Sequence, residues 1–350
     1  MHNNEIDMSK YDIRTDLVLE SIDDIEDDIK VDEEVIDNIK ITHVRIKKEF
    51  EEKLNKKKGR YITIEFDDIT DSKNNNKVSN IFADELKKLI EKLHIKDDDS
   101  CLVIGLGNEK STADSLGPNT IDNVIVTRYL FIEDDIVVDK NYRCVSAFNP
   151  SVTGVTGIET STLIKSIVNE IKPSFLIVID ALAAKSIERV NKTIQMTDSG
   201  IHPGSGVGNS RKEISKSTIG IPVIAIGIPT IVDAVTIVSD TINFMMKHFS
   251  YVKETLNDPK QKLVIKKENY LKNKQIKDLE TIEKQKYIGF LGTLSNDEIR
   301  NLVYEVLSPI NYNLMVTPKE VDFLIHKLSL LLSNGINNAL HKNIEKLSTN

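Results

Sequence analysis

Two apolar runs each lead to an aspartate. Cys101-Leu-Val-Ile-Gly-Leu-Gly107 continues through a polar loop to Asp114, and Phe175-Leu-Ile-Val-Ile179 runs straight into Asp180. If the runs are parallel neighbouring strands, two carboxyl groups meet at one sheet edge, where open α/β sheets carry their ligand and catalytic sites. Two adjacent carboxyls do not both ionise freely, so such a pair supplies an acid and a base, the equipment of hydrolysis. Each has a plainer role too. Asp114, in Ser111-Thr-Ala-Asp-Ser-Leu-Gly-Pro118, is of a type that caps helices, and Asp180 after five apolar residues can anchor a loop as a buried hydrogen-bond acceptor.

A second cluster spans Ile201-His-Pro-Gly-Ser-Gly-Val-Gly-Asn-Ser-Arg-Lys212. Free N–H groups around Gly204 and Gly206 would form an anion-binding concavity, and Arg211, Lys212 and Arg189 are cations suited to an acidic ligand. His202, before Pro203, is either a turn residue or a general base. Gly105 and Gly107 begin a dinucleotide fingerprint that fails at Lys110, where its third glycine would fall. The segment contains no phosphate-loop motif, and the chain has neither HExxH nor GxSxG, so a metal site is not legible and no cofactor is expected.

The elements that must position these residues follow from hydrophobic period. Tyr61–Phe66 alternates like a strand, and Val78, Ile81, Phe82, Leu86, Leu89, Ile90 and Leu93 follow a helical period after a loop at 71–77. Then come strand 101–106, helix 119–130, strand 143–148, helix 158–171, strand 175–180, a helix or turn over 181–189, strands 191–197 and 222–227, and helix 230–248. The pattern predicts an α/β fold with a mainly parallel, mixed sheet sandwiched by helices. Residues 251–287 turn Lys- and Glu-rich. Thr317-Pro-Lys-Glu320 then predicts a capped final helix whose apolar face includes Val321, Leu324, Ile325, Leu328, Leu331 and Leu332.

Composition bounds the rest. At 350 residues there is room for a sizeable core, and a net charge of -8 excludes a sequence-independent DNA binder, which needs a basic stripe. The Lys56–Arg60 cluster is expected to be a solvated turn. There is no apolar run of about 18 residues and no secretory signal, and two cysteines without CxxC spacing fit a reducing compartment. The chain is therefore expected in the cytoplasm, with neither nucleic acid nor membrane as a direct partner.

Tyr11-Asp-Ile-Arg-Thr-Asp-Leu17, Cys101–Pro118, Ile179-Asp-Ala-Leu-Ala-Ala184, Thr197–Asn209, Ile221–Thr230 and Asn313–Glu320 together resemble the germination proteases of spore-forming bacteria, almost end to end. The resemblance implies an endopeptidase that initiates degradation of small acid-soluble spore proteins, cutting after Glu or Asp and before an apolar residue. It further implies a homotetramer in the forespore or spore core, and a fold of the phosphorylase/hydrolase-like type seen in hydrogenase maturation proteases. Asp114 and Asp180 match the family's two essential aspartates. Self-processing is expected between Asp16 and Leu17, with Val18 departing from the usual alanine. The implied layout is a propeptide at 1–16, a catalytic core with an N-terminal arm at 17–250, a charged extension at 251–290 and a helical segment packed on the core at 291–350. Two readings compete: a metal-dependent maturation endopeptidase, and a nonenzymatic binder of acidic spore proteins.

Overall fold

The computed structural model describes residues 15–22, 29–133, 137–204, 211–255, 279–307 and 314–342. The acidic stretch at 23–28, most of the expected propeptide and most of the charged extension lie outside them. Two compact units emerge. One comprises Arg14–Ile231 with Thr317–Asn350, and the other contains Val232–Val316.

Nine strands form one mixed α/β sheet among the described residues. They are β1 (Val31–Ile36), β2 (Ile39–Ile46), β3 (Gly59–Glu65), β4 (Cys101–Gly105), β5 (Val145–Phe148), β6 (Phe175–Ala184), β7 (Thr193–Thr197), β8 (Val223–Asp233) and β9 (Met315–Val316). Their order is β1-β2-β3-β7-β8-β6-β4-β5, with β9 paired to the end of β8. The ladders β5–β4 and β4–β6 are parallel, whereas β1 through β3 and on through β7 to β8 run antiparallel. The β1–β2 hairpin has no counterpart in the sequence reading. It turns at Asp37 and Asn38, whose φ angles of 50° and 67° suit a two-residue hairpin loop.

Alternation along β4 and β6 explains how both faces of the sheet are filled. Cys101, Val103, Phe175, Ile177 and Ile179 face one core, against Val78, Phe82, Leu86 and Leu89 of the Ser72–Lys92 helix and Ile325, Leu328 and Leu332 of the Val321–Leu340 helix. Leu102, Ile104, Leu176 and Val178 face the other, against Ile164 and Val168 of the Thr160–Ile171 helix. Each such side chain, fully buried, contributes roughly 1.5–3 kcal/mol. A third cluster seats Val18 and Leu19 against Val44, Ile46, Leu54 and Tyr61. Burial pushes the Tyr61 hydroxyl up to about 12.

Five expected elements differ, one being the helix expected over 230–248, which is Ala234–Thr255 because β8 runs on to Asp233. The 72–92 helix begins inside the predicted loop because Asp71 caps it, its carboxylate accepting from Lys73 N at 3.2 Å. The helix expected over 119–130 is Leu116–Ile121, followed by a short turn at Arg128–Phe131. Residues 181–184 continue β6 rather than forming a helix or turn. Thr317 does not cap the last helix: its hydroxyl donates to Thr230 O at 2.9 Å, and the helix starts at Val321 without a side-chain cap.

The last helix lies tightly on the 72–92 helix. Ser79 Oγ donates to Leu331 O at 3.0 Å, and a Cβ at Gly335 would stand 2.2 Å from Phe82 Cδ1. Phe82 is fully buried and has nowhere to swing. Gly335→Ala is therefore expected to destabilise the protein by about 1–3 kcal/mol, read as a lowered midpoint of thermal unfolding.

The other unit has a small core of its own. Val235 and Ile242 of the Ala234–Thr255 helix pack with Ile299 and Val303 of the Asn296–Leu307 helix. Among the described residues no helix is long and apolar enough to cross a membrane.

Candidate active site

The register pairs Gly105 of β4 with Ile179 of β6. Leu106 N still donates to Ile179 O at 2.8 Å, after which the chain leaving β4 turns away while β6 continues past Asp180 to Ala184. Asp180 thus sits where the parallel ladder ends, within a strand rather than at its tip. It shares the face of Leu176 and Val178 by alternation and is 7% exposed.

Asp114 reaches the same place because its turn is pressed onto the end of β4. A Cβ at Gly105 would lie 2.3 Å from Gly117 O, and one at Gly117 would lie 2.2 Å from Leu106 O. Gly107, at φ 116°, would set a Cβ 2.0 Å from Asp114 O. These glycines therefore bring the backbone of the 112–117 turn into contact with the strand end. Asn108 N donates to Asp114 Oδ2 at 2.9 Å and to Asp114 O at 3.1 Å, and Thr230 Oγ1 of β8 donates to Ala113 O at 2.6 Å. Asp114 is not the cap of the helix that follows, where Ser115 takes that position without a side-chain bond.

Burial, then the charges of Asp114 and Asp16, hold the Asp180 carboxyl well above the usual carboxylate range, against the pull of Ala181 N–H, which donates to Oδ1 at 2.9 Å. Burial also raises Asp114, partly offset by the Asn108 N–H. Three acidic side chains therefore share one electrostatic neighbourhood.

Asp16 enters that neighbourhood on β6 itself. Asp16 N donates to Ala183 O at 3.1 Å, and Ala183 N donates back to Asp16 Oδ2 at 2.9 Å. Gln195 of β7 donates from Nε2 to Asp16 O at 2.9 Å and accepts from Val18 N at 2.6 Å. Lys56 Nζ donates to Thr15 O at 2.6 Å. Downstream, Glu20 accepts from Lys185 N at 2.7 Å and Ser186 N at 3.1 Å and pairs with Arg189 at 3.5 Å. Leu17 and Val18 are buried.

The remaining predicted residues have partners of their own. The Arg189 guanidinium is engaged by Glu20 and by Glu65 at 3.2 Å, and the Asp16 carboxylate meets the Ala183 N–H instead. His202 faces Glu213 at 3.6 Å, Arg211 N donates to Pro203 O at 3.2 Å, and Lys212 N donates to Glu159 Oε1 at 3.4 Å. None of these enters among the groups that shift Asp114 or Asp180. Gly204 adopts φ 73°, and Gly206 lies outside the described residues. Among those residues no three His, Cys, Asp or Glu side chains are grouped to hold a metal ion.

Sequence reading missed Gln195, Ala183, Glu20 and Lys56. A signal for Gln195 existed: Thr193, Gln195 and Thr197 alternate with Ile194 and Met196, and all five are buried. The Lys56–Arg60 cluster, expected as a solvated turn, divides: Lys57 and Lys58 are exposed, while Lys56 turns inward and burial lowers its pKa.

Comparison with known proteins now gives the class. The family model described as germination protease, a peptidase family, matches residues 7–350. Germination proteases of Geobacillus sp. (strain WCH70), Bacillus subtilis (strain 168) and Priestia megaterium (strain ATCC 12872 / QMB1551) are each 47% identical, over 99%, 99% and 98% of this chain and 98%, 98% and 97% of theirs. A solved NiFe hydrogenase maturation protease, HycI from Thermococcus kodakarensis KOD1, is 14% identical and covers 40% of this chain and 80% of its own, with a TM-score of 0.26. So slight a likeness carries no argument. The fold and the sequence relatives define an α/β peptidase. The chain belongs to the germination protease family.

Proposed function

We propose that this protein is the endopeptidase that starts degradation of small acid-soluble spore proteins, cutting after Glu or Asp and before an apolar residue, and that it matures by cutting itself between Asp16 and Leu17. It works in the spore core as a homotetramer. The observation that carries this reading is the seating of the Asp16–Leu17 segment on β6, with an acidic side chain before the bond and a buried leucine after it, inside the electrostatic reach of Asp180.

Asp180, the more buried carboxyl and the one raised well above the usual carboxylate range, is the member that holds the proton, and Asp114, closer to solvent and facing the Asn108 N–H, is the member that ionises. Asp114 as base takes a proton from water as the water attacks the carbonyl. Asp180 as acid gives its proton to the departing amine. The pair is ready for a second turnover once the protons are exchanged through solvent.

The test is incubation of the purified full-length protein with a small acid-soluble spore protein, with and without a chelator, followed by mass spectrometry. A new N-terminus at Leu17, cuts after Glu or Asp and indifference to the chelator are expected. Absence of both cuts overturns the reading, and chelator-sensitive cutting replaces the two-aspartate chemistry with a metal-dependent one.

A further inference from the structure

Gln195 stands out as a buried carboxamide with both ends committed to a backbone that is not its own strand's. It is 6% exposed, on β7 between β3 and β8. Its Nε2 donates to Asp16 O and its Oε1 accepts from Val18 N. Only that orientation of the amide satisfies both partners, because a flipped group would set donor against N–H and acceptor against carbonyl. The residue between the two contacts is Leu17, so one side chain brackets the Asp16–Leu17 bond.

We propose that Gln195 is a catalytic residue of peptide cleavage, the donor that polarises the scissile carbonyl and then holds its oxyanion, while the Ala183 N–H selects the acidic side chain that precedes the cut. This rests on the self-processing reading above. Water's oxygen bonds to the Asp16 carbonyl carbon and its proton passes to the ionised aspartate. The carbonyl π electrons move onto oxygen, where Nε2–H already points. As the adduct collapses, the C–N bond breaks with its electron pair on the Leu17 nitrogen, which takes the proton of the other aspartate. One water is consumed, and a carboxyl end and an amino end result.

A neutral amide suits this task beside three acids. A cation there would pair with Asp16, Asp114 or Asp180 and favour their ionised forms, removing the acid that the leaving amine needs. Preorganisation comes from the surrounding contacts: Asp16 N on Ala183 O, Lys56 on Thr15 O and the Glu20 carboxylate on the 185–186 backbone hold the segment extended on both sides of the bond. Selection of an acid follows from the Ala183 N–H, since a carboxylate accepts a backbone N–H more strongly than an uncharged oxygen does.

The test uses full-length Gln195→Met and Gln195→Glu, with folding checked by circular dichroism and thermal unfolding, and follows the appearance of Leu17 as N-terminus by intact mass across a pH series. Loss of one oxyanion donor costs on the order of 10²-fold in rate. Gln195→Met is expected to be slowed by about that factor at every pH. Gln195→Glu is expected to be slowed as much where its carboxyl is ionised and to recover relative to wild type as the pH falls, because a protonated carboxyl can donate to the carbonyl. A folded Gln195→Glu that shows no such recovery overturns the donor role. If Gln195→Met does not fold, the pH series of Gln195→Glu decides. A folded variant that processes at the wild-type rate throughout overturns the role of Gln195 and leaves the self-processing reading standing. A wild-type chain that never yields an N-terminus at Leu17 overturns both.

Discussion

Asp180→Asn is expected to produce a chain that neither trims itself nor cuts an acidic protein in trans, yet is more stable than wild type at neutral pH. The loss of rate should be about 10²-fold to 10⁴-fold, the worth of a positioned acid or base, and Asp114→Asn should match it. The gain in stability follows from the site's electrostatics. Burial first, then Asp114 and Asp16, raise the Asp180 pKa well above its unfolded value. A carboxyl raised in this way supports the native state fully below its unfolded pKa, near 4, and that support is lost as the pH climbs through the folded pKa. Asparagine never ionises and does not take part in this loss. The two unfolding curves should lie close together in acid and diverge above the ordinary carboxylate range. A gain of about 1 kcal/mol would separate the midpoints by roughly 1–2 °C in a chain of this length. An inactive variant with an unchanged pH dependence of stability would show that Asp180 is not the protonated member.

Gly107→Ala is expected to be nearly as damaging to activity, though residue 107 bears no reactive group. A Cβ there would sit 2.0 Å from Asp114 O and 3.2 Å from its Oδ1, on a backbone at φ 116° that disfavours L side chains. The left-handed strain alone costs about 1–3 kcal/mol. The obstructing atom is a main-chain oxygen, so relief requires displacing the turn and with it the two Asn108 N–H contacts that hold Asp114. A displacement near 1 Å can cost about 10²-fold in rate. Both a lower unfolding midpoint and a comparable loss of processing are therefore expected. Gly154→Ala provides the comparison: nothing lies within 4 Å of its would-be Cβ, and the change should stay within about 0.5 kcal/mol. Equal effects at the two glycines would argue against the close contact.

Much of the scaffold was legible because it rests on local repetition. The runs at 101–105 and 175–179 read as strands buried on both faces, and they are parallel neighbours in register. The apolar stripe of the last helix was legible for the same reason. What escaped depends on distant partners. Ala181-Leu-Ala-Ala184 favours helix on its own, yet it continues β6, with Asp16 bonded to both the N–H and the C=O of Ala183. Thr317 looked like a cap until the carbonyl of Thr230, 87 residues away in sequence, took its hydroxyl. Gln195 could be seen as a polar residue in a strand, but its two backbone partners lie 177 and 179 residues away. Gly105 and Gly107 were visible as the start of a fingerprint that fails at Lys110, whereas their part in fixing the position of Asp114 required the fold.

At the far margin of the sheet, β1 is paired, among the described residues, only with β2, and all six of its residues are exposed. An open strand of this kind is a template on which another chain can zip. Here Asp32 pairs with Lys30 at 3.0 Å and Glu33 with Lys40 at 2.7 Å, which leaves the margin laced with hydrated ion pairs beside Val31 and Val35. A second copy adding a strand there would have to strip water from those charges and match their signs. Among the described residues the sheet thus ends in charge rather than under a covering element, and each molecule that would add a strand there meets a desolvation cost first.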